Sequence, residues 1–348
     1  MRVLNIHGAG DVRLDTYARP AAGPNDVVVK MKACGICGSD LSYIKIGGIP
    51  TPGTITALGH EGAGEILEVG SAVQGISVGD AVVVNPMMTP SNIGSGGPEG
   101  AFTEELLVRE ARLGASILPI PPGISYEIAA LAEPLAVALH GVNRAEVAAG
   151  DKVVVYGCGP IGLGMVLWLV DRGVTDVVAL DLSPERRERA MALGARAALD
   201  PTAVDVRAEL AKLHGEVPSY GRVGVGTDAY IDAAGAPNIL TEVIMLAKLH
   251  ARLVITAAYM KPLEFPAGRM LTSEMTITTA MGYPTEMPEV IAAMPRLKDK
   301  LASMISHRLP LSEVVAGLQI AATPQSCKVM IHCDESGRHE GNSDEGNA

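Results

Sequence analysis

The 348-residue chain has no run of lysine or arginine; its 28 basic side chains are outnumbered by 39 acidic ones, for a net charge of −11. Nucleic acid and anionic bilayers are held chiefly through clustered cations, so neither is expected as the main partner. Long apolar runs are also missing. The most continuous one, around residues 161–170, is too short to cross a bilayer core, so no membrane span is expected. An apolar leader is absent as well: Met1-Arg2-Val3-Leu4-Asn5 enters a strand at once, which predicts a protein that stays in the cytoplasm. Cysteine is scarce and its count of five is odd, which excludes the paired disulfide framework of a secreted scaffold. Each thiol is then a buried side chain, a metal ligand or a nucleophile. No internal repeat stands out.

What is present suits two domains. A hydrophobic content of 48% gives a chain of this length ample material to bury. Residues 1–125 read as short strands broken by glycine and proline, among them 27–31, 64–70 and 80–84, the pattern of a compact β-barrel with functional loops. From Tyr126 helical stretches alternate with apolar strands through Tyr230-Ile231-Asp232 and Arg252-Leu253-Val254-Ile255, which implies parallel crossovers and an open, doubly wound α/β sheet. The glycine-rich stretch 215–226 reads as a surface loop. A helix over 288–301 and a strand over 328–332 close the fold and are expected to pack on the first domain. The domains are therefore 1–125 with 286–333, and 126–285. The last fifteen residues, from Asp334, hold five acids and one arginine, and 334–348 reads as a disordered acidic tail.

The second domain is organised around Val153-Val154-Val155-Tyr156-Gly157-Cys158-Gly159-Pro160-Ile161-Gly162, a β-branched strand, a glycine-rich turn and the start of an apolar helix. Gly157 permits the turn, Gly159 lets backbone approach a pyrophosphate, and Gly162 lets helix pack closely on strand. Pro160 and Ile161 open a helix whose N-terminus offers N–H groups and positive dipole to a phosphate. A second strand, 175–181, ends in Asp181, where an acid can accept both ribose hydroxyls of NAD. A 2′-phosphate there would meet like charge, although Arg186 and Arg187 follow shortly after.

The first domain carries Cys34-Gly35-Ile36-Cys37-Gly38-Ser39-Asp40 and, some twenty residues on, Gly59-His60-Glu61. Cysteine, histidine and carboxylate make an N/S/O donor set for zinc, and one Cys-x-x-Cys pair is too few for a closed four-cysteine site, so an open site is the more natural reading. Together with Glu133-Pro134-Leu135-Ala136-Val137, the glycine-rich turn and Lys328-Val329, in that order, these motifs resemble the zinc-containing medium-chain alcohol dehydrogenases over residues 1–333. Glu133-Pro134 is similar to the polyol and diol branch, which includes sorbitol, threonine, idonate and butanediol dehydrogenases.

The resemblance implies a GroES-like β-barrel catalytic domain and a Rossmann coenzyme domain, with zinc and NAD as cofactors and a secondary alcohol, diol or polyol interconverted with its ketone. It makes Cys37, His60, Glu61 and Glu133 the metal residues, with Glu61 and Glu133 each either ligating or standing one step away. Asp40 matches the acid that orients the histidine, and Ser39 the hydroxyl that relays the alcohol proton. Gly157, Gly159, Pro160, Ile161, Gly162, Asp181, Thr256, Ala258 and Lys328 fall at cofactor positions, and Tyr43 and Gly282 at the substrate. Cys34 matches no ligand and reads as a small buried side chain; Cys158, Trp168 and His140 read as core.

Several departures refine this picture. The cysteine-rich lobe that carries a structural zinc in many relatives would follow Asn85-Pro86, but no cysteine lies between Cys37 and Cys158, so one zinc per chain is expected. Ser42 stands where a relay histidine is frequent. Where sorbitol enzymes show Phe-Arg-Tyr, this chain has Ala280-Met281-Gly282-Tyr283, which favours a less hydroxylated secondary alcohol. The strand 275–279 is the expected edge for a homodimer or homotetramer. Two other readings compete: a zinc-free NAD(P)H reductase of the same superfamily, and a nucleotide-binding redox sensor switching through Cys34 and Cys37.

Overall fold

In chain order the first strands are β1 (Arg2–Gly8), β2 (Asp11–Thr16) and β3 (Val27–Gly35), followed by helix α1 (Gly38–Ile46). Then come β4 (Thr56–Ala57), β5 (Glu61–Val69), β6 (Ala81–Val84), β7 (Glu105–Val108) and β8 (Ile117–Pro119), with α2 (Tyr126–Ala129) and α3 (Ala132–Ala145). These come from a computed structural model that describes residues 1–334. The expected acidic tail therefore lies outside the described residues except for Asp334, which is held by Lys32 Nζ at 2.7 Å and Lys30 Nζ at 3.1 Å.

The chain continues through β9 (Lys152–Tyr156), α4 (Pro160–Asp171), β10 (Asp176–Leu180), α5 (Pro184–Leu193), β11 (Ala197–Leu199), α6 (Val206–His214), β12 (Glu216–Ser219) and β13 (Arg222–Val225). It goes on with β14 (Ala229–Asp232), α7 (Ile239–Leu246), β15 (Arg252–Ile255), α8 (Ala267–Ser273) and β16 (Thr276–Thr279). The last elements are α9 (Met287–Met304), β17 (Ile305–Pro310), α10 (Val314–Ala321) and β18 (Lys328–His332). Among the described residues these form two compact units, one made of Met1–Glu133 with the chain from Met287 onward, the other of Pro134–Glu286. Residues 126–133, expected with the second unit, belong to the first because α2 packs against β3, β5 and α9.

In the first unit a sheet runs in the order β17-β18-β3-β5-β6-β8, with β7 added on β3, and a smaller one runs β2-β1-β4. Strand β3 is the hub. Seven of its nine residues are buried, and its runs of β-branched and small side chains suit a strand covered on both faces. Leu4, Ile6, Val29, Met31, Ile66, Phe102 and Val329 are fully buried around it.

In the second unit β11-β10-β9-β14-β15-β16 form one sheet, parallel throughout. Chain order reverses direction between β9 and β14. Such a switch point opens a crevice beyond the carboxyl ends of the strands, where doubly wound folds bind nucleotides. Helix α4 lies buried from Gly162 to Leu169, which is why its sequence is apolar on every face. Trp168 donates its indole N–H to Leu135 O at 3.0 Å, and His140 pairs with Glu286 at 2.8 Å; both are structural, as expected.

One expectation fails outright. The stretch 215–226 is a β-hairpin and not a loop: β12 and β13 pair antiparallel, with Ser219 opposite Arg222. Tyr220 and Gly221 take φ of +40° and +75°, the left-handed pair that a two-residue hairpin turn requires, and Val225 is fully buried. No helix among the described residues is long and apolar enough to cross a membrane.

Candidate metal and dinucleotide sites

Strand β3 ends at Gly35, and the chain turns through Ile36 and Cys37 into α1, where Cys37 caps the helix. Asp40, fully buried, shapes this turn. Its Oδ2 accepts from Cys37 N at 2.9 Å, and its Oδ1 lies 3.6 Å from His60 Nδ1. Neither Oδ1 nor Nδ1 has a hydrogen-bond partner of ordinary length, although both are buried. The carboxylate thus faces one ring nitrogen and turns the other, Nε2, away from itself.

His60 immediately precedes β5 and Glu61 begins it. One ligand atom each from Cys37, His60 and Glu61 lies within 4.8 Å of the others, with His60 and Glu61 buried and Cys37 half-buried. Tetrahedral zinc, with bonds of 2.0–2.3 Å, holds its donors about 3.3–3.8 Å apart. The thiolate, imidazole and carboxylate therefore fit a zinc ion with a small contraction. Burial alone would pull the His60 imidazole down, but Asp40, Cys37 and Glu133 more than offset it and hold His60 well above its ordinary value. Anionic groups gathered round one imidazole are the surroundings a dication needs. Glu133, buried near the start of α3, contributes to this field but lies outside the trio.

In the second unit the glycine turn follows β9. Gly157 has φ of +87°, and a Cβ there would come within 3.0 Å of Ala234; a Cβ on Gly162 would lie 1.7 Å from Gly157 O. A side chain at either position is excluded. A Cβ on Gly159, by contrast, would meet nothing within 4 Å, so backbone is exposed where a pyrophosphate would approach. Pro160, the first residue of α4, lacks an N–H that the helix would leave unpaired anyway. Asp181 joins turn to crevice: its Oδ2 accepts from Cys158 N at 2.6 Å and its Oδ1 from Ser183 N at 2.8 Å. Arg187 is turned elsewhere, onto Asp181 O, Leu182 O and Asp200.

The chain is similar to characterised proteins over nearly its whole length. Residues 23–122 match the alcohol dehydrogenase GroES-like domain and residues 160–296 the zinc-binding dehydrogenase domain. It is 33% identical over 340 residues to (R,R)-butanediol dehydrogenase of Bacillus subtilis, covering 90% of this chain and 94% of that one. The crystal structure of 2R,3R-butanediol dehydrogenase from Bacillus subtilis superposes with a TM-score of 0.84, covering 96% of this chain and 99% of that chain at 31% identity. The chain belongs to the zinc-containing medium-chain alcohol dehydrogenases. Sorbitol dehydrogenase of Rattus norvegicus, 30% identical over 349 residues and covering 95% of both chains, places it in the polyol and diol branch. It is an NAD(P)-linked oxidoreductase with the GroES-like and Rossmann-type domains of that family.

Other site residues of this dehydrogenase are arranged less simply. Lys328, expected at the cofactor, is instead buried against Glu61. Its ammonium donates to Glu61 Oε1 at 2.7 Å, Glu61 Oε2 at 2.6 Å and Ile36 O at 3.0 Å, which accounts for all three N–H bonds. Sequence reasoning missed this partnership, which joins residues 267 positions apart without any local signal. Ser39 is half-buried in the first turn of α1, two residues from Cys37. Tyr43 packs against the first unit's hydrophobic core, and Ser42 Oγ donates to Gly38 O at 3.1 Å. Gly282, with φ of +64°, follows Met281, which is 91% exposed. Thr256 is tied to β14 through Asp232 O, whereas Ala258 is exposed. Cys34 is fully buried, and burial first of all pushes its thiol well above the ordinary range. Such a thiol is inert, which weighs against the dithiol sensor.

Proposed function

We propose that this dehydrogenase binds one zinc through Cys37, His60 and Glu61, with Glu133 beside them, and uses NAD to interconvert a secondary alcohol or vicinal diol with its ketone. The convergence of a thiolate, an imidazole and a carboxylate within 4.8 Å carries the reading. The names of the relatives, butanediol and sorbitol dehydrogenase, support the substrate class. Met281 and Gly282, where the resemblance expects the arginine of the sorbitol enzymes, favour the diol over a longer polyol.

In this reading zinc supplies Lewis acidity to the alcohol oxygen and NAD supplies a hydride acceptor; alcohol and NAD⁺ give ketone, NADH and a proton. Asp40 keeps the proton of His60 on Nδ1 and leaves the Nε2 lone pair for the metal. Ser39 Oγ, close to the thiolate ligand, carries the alcohol proton away, and Ser42 with water continues the path. Gly157, Gly159 and Gly162 admit the pyrophosphate, and Asp181 accepts the ribose hydroxyls, which favours NAD over NADP. Tyr43 and Gly282 border the substrate, and Thr256 and Ala258 the nicotinamide. The catalytic role falls to the unit of Met1–Glu133 with the chain from Met287 onward, and coenzyme binding to Pro134–Glu286.

All five cysteines stand as thiols, which suits the reducing cytoplasm. A second copy of the chain pairs along β16, an edge strand of its sheet, which is flanked in sequence by Leu271, 79% exposed, and Met281. The deciding experiment is zinc content in protein purified without added metal. About one zinc per chain is expected of an open site without a structural lobe. A chain that binds NAD, holds no zinc and takes up none on addition would instead be the zinc-free reductase.

A further inference from the structure

The buried carboxylate of Asp232 serves neither the metal nor the ribose acceptor. It ends β14, one of the two strands at the switch point, and is 1% exposed. A carboxylate withdrawn from water is retained only where hydrogen bonds replace its hydration. Asp232 Oδ1 accepts from Ala234 N and Gly235 N, both at 2.9 Å, and Oδ2 accepts from the Tyr259 hydroxyl. Its backbone carbonyl is equally committed, accepting from Thr256 Oγ1 at 2.8 Å, Thr256 N at 2.9 Å and Ala257 N at 3.2 Å. One residue thus gathers the loop after β14 and the loop after β15.

Those loops are packed against each other. A Cβ on Gly235 would lie 3.0 Å from that of Ala257, and Ala234 is the residue against which Gly157 packs. An unbroken chain of contact therefore runs from the glycine turn through Ala234 and Gly235 to Ala257, with Asp232 beneath it and Tyr259 closing its far end. In a doubly wound sheet each half of the dinucleotide lies on one half of the sheet. Gly157 and Asp181 serve the adenosine half, on β9 and β10. The loops after β14 and β15 border the other half, where the nicotinamide must lie.

We propose that Tyr259, acting through Asp232, is a positioning residue for the nicotinamide ring of the dinucleotide. This rests on the dinucleotide reading above and adds to it a residue pair and a division of labour. The phenol holds the loop after β15 against the carboxylate, so that this loop meets the nicotinamide ring already ordered. Loss of the hydroxyl loosens the Tyr259 end of the loop, while the bonds of Thr256 and Ala257 to Asp232 O, and Gly157 and Asp181, stay in place.

The test compares two ligands that differ by the nicotinamide ring, which NADH carries and ADP-ribose lacks. NADH and ADP-ribose binding are measured for the wild type, Tyr259→Phe and Asp232→Asn, with circular dichroism to confirm folding. Tyr259→Phe is expected to weaken NADH about tenfold, the scale of one hydrogen bond to a charged group, and to leave ADP-ribose within about twofold. Asp232→Asn keeps an oxygen for Ala234 N and Gly235 N and offers its amide to the phenol, so it is expected to retain NADH within about threefold. Unchanged NADH binding in Tyr259→Phe overturns the proposal. Equal losses of NADH and ADP-ribose in either variant also overturn it, because the pair would then be merely structural. A wild type that binds neither ligand would sink the dinucleotide reading itself.

Discussion

Lys328 Nζ lies 2.6 Å from Glu61 Oε2, in a pair whose side chains are 1% and 0% exposed. Glu61 belongs to the metal trio, so its charge answers to a permanent internal cation as well as to any ion that binds. Replacing Lys328 with methionine leaves the carboxylate buried and unpaired. The expected loss is about 3–5 kcal/mol in the metal-free protein, the usual result of breaking a buried pair from one side. Thermal denaturation with and without zinc checks this: zinc should restore more stability to Lys328→Met than to the wild type. Combining it with Glu61→Gln should recover most of the loss. If the single variant melts with the wild type, the pair is not held as described.

Asp40 serves Cys37 and His60 at once, and the two duties separate by substitution. Asparagine retains an oxygen for Cys37 N but loses the charge that faces His60 Nδ1. Removing such a partner weakens metal binding about 10–100-fold. Competition for zinc against a chelator should show that loss in Asp40→Asn with little change in melting temperature. Asp40→Ala should add a loss of about 1 kcal/mol from the helix start. Equal zinc affinity in wild type and Asp40→Asn would mean that the carboxylate does not orient the imidazole.

His214 makes a prediction about acid. Its side chain is fully buried, with Nδ1 2.7 Å from Thr227 Oγ1 and Nε2 3.4 Å from Asp176 Oδ1. Burial lowers its pKa below the ordinary value; Asp176 opposes this, and Lys152 and Arg196 reinforce it. The folded protein therefore resists a proton that the unfolded chain accepts near pH 6.5. This contribution is complete above about pH 6.5 and is lost as pH falls through the lower folded value. The stability difference between wild type and His214→Gln should shrink between about pH 7.5 and pH 5.5. A difference independent of pH would show that His214 carries no such shift.

Strand–turn–helix over 152–171 was legible almost to the residue, because β9 and α4 are buried and appear as apolar runs interrupted only by glycines that backbone contact demands. The trio of Cys37, His60 and Glu61 was legible from residue type and motif order. Three features were not. The hairpin of β12 and β13 hides in a glycine-rich stretch whose turn is formed by Tyr220, a residue that seldom takes positive φ. The pairing of Lys328 with Glu61 depends on β18 and β5 both lying beside β3, a matter of topology that no window of sequence contains. Asp232 ends an apolar strand and Asp181 directly follows one, and the tie of Asp232 to Tyr259, 27 residues on, has no signal in the local sequence.

Asp181 is the remaining test, because it has two functions that one substitution would confound. It accepts from Cys158 N at 2.6 Å and Ser183 N at 2.8 Å, and so helps hold the glycine turn beside the start of α5. In the proposed reading it also presents negative charge where a 2′-phosphate would stand. Asparagine keeps an oxygen acceptor for the turn and removes the repulsion, whereas glycine removes both. The ratio of kcat/KM for NAD over NADP is therefore expected to fall about 10–100-fold in Asp181→Gly, the scale of one or two hydrogen bonds to a charged group. In Asp181→Asn it should fall by a smaller factor, with KM for NAD less disturbed. Zinc content should not change in either, since Cys37, His60 and Glu61 belong to the other unit. A ratio that stays constant in both variants would remove Asp181 from cofactor choice. Arg187, already bound to Asp200 and two carbonyls, would not be the alternative, because its guanidinium is held by the same turn.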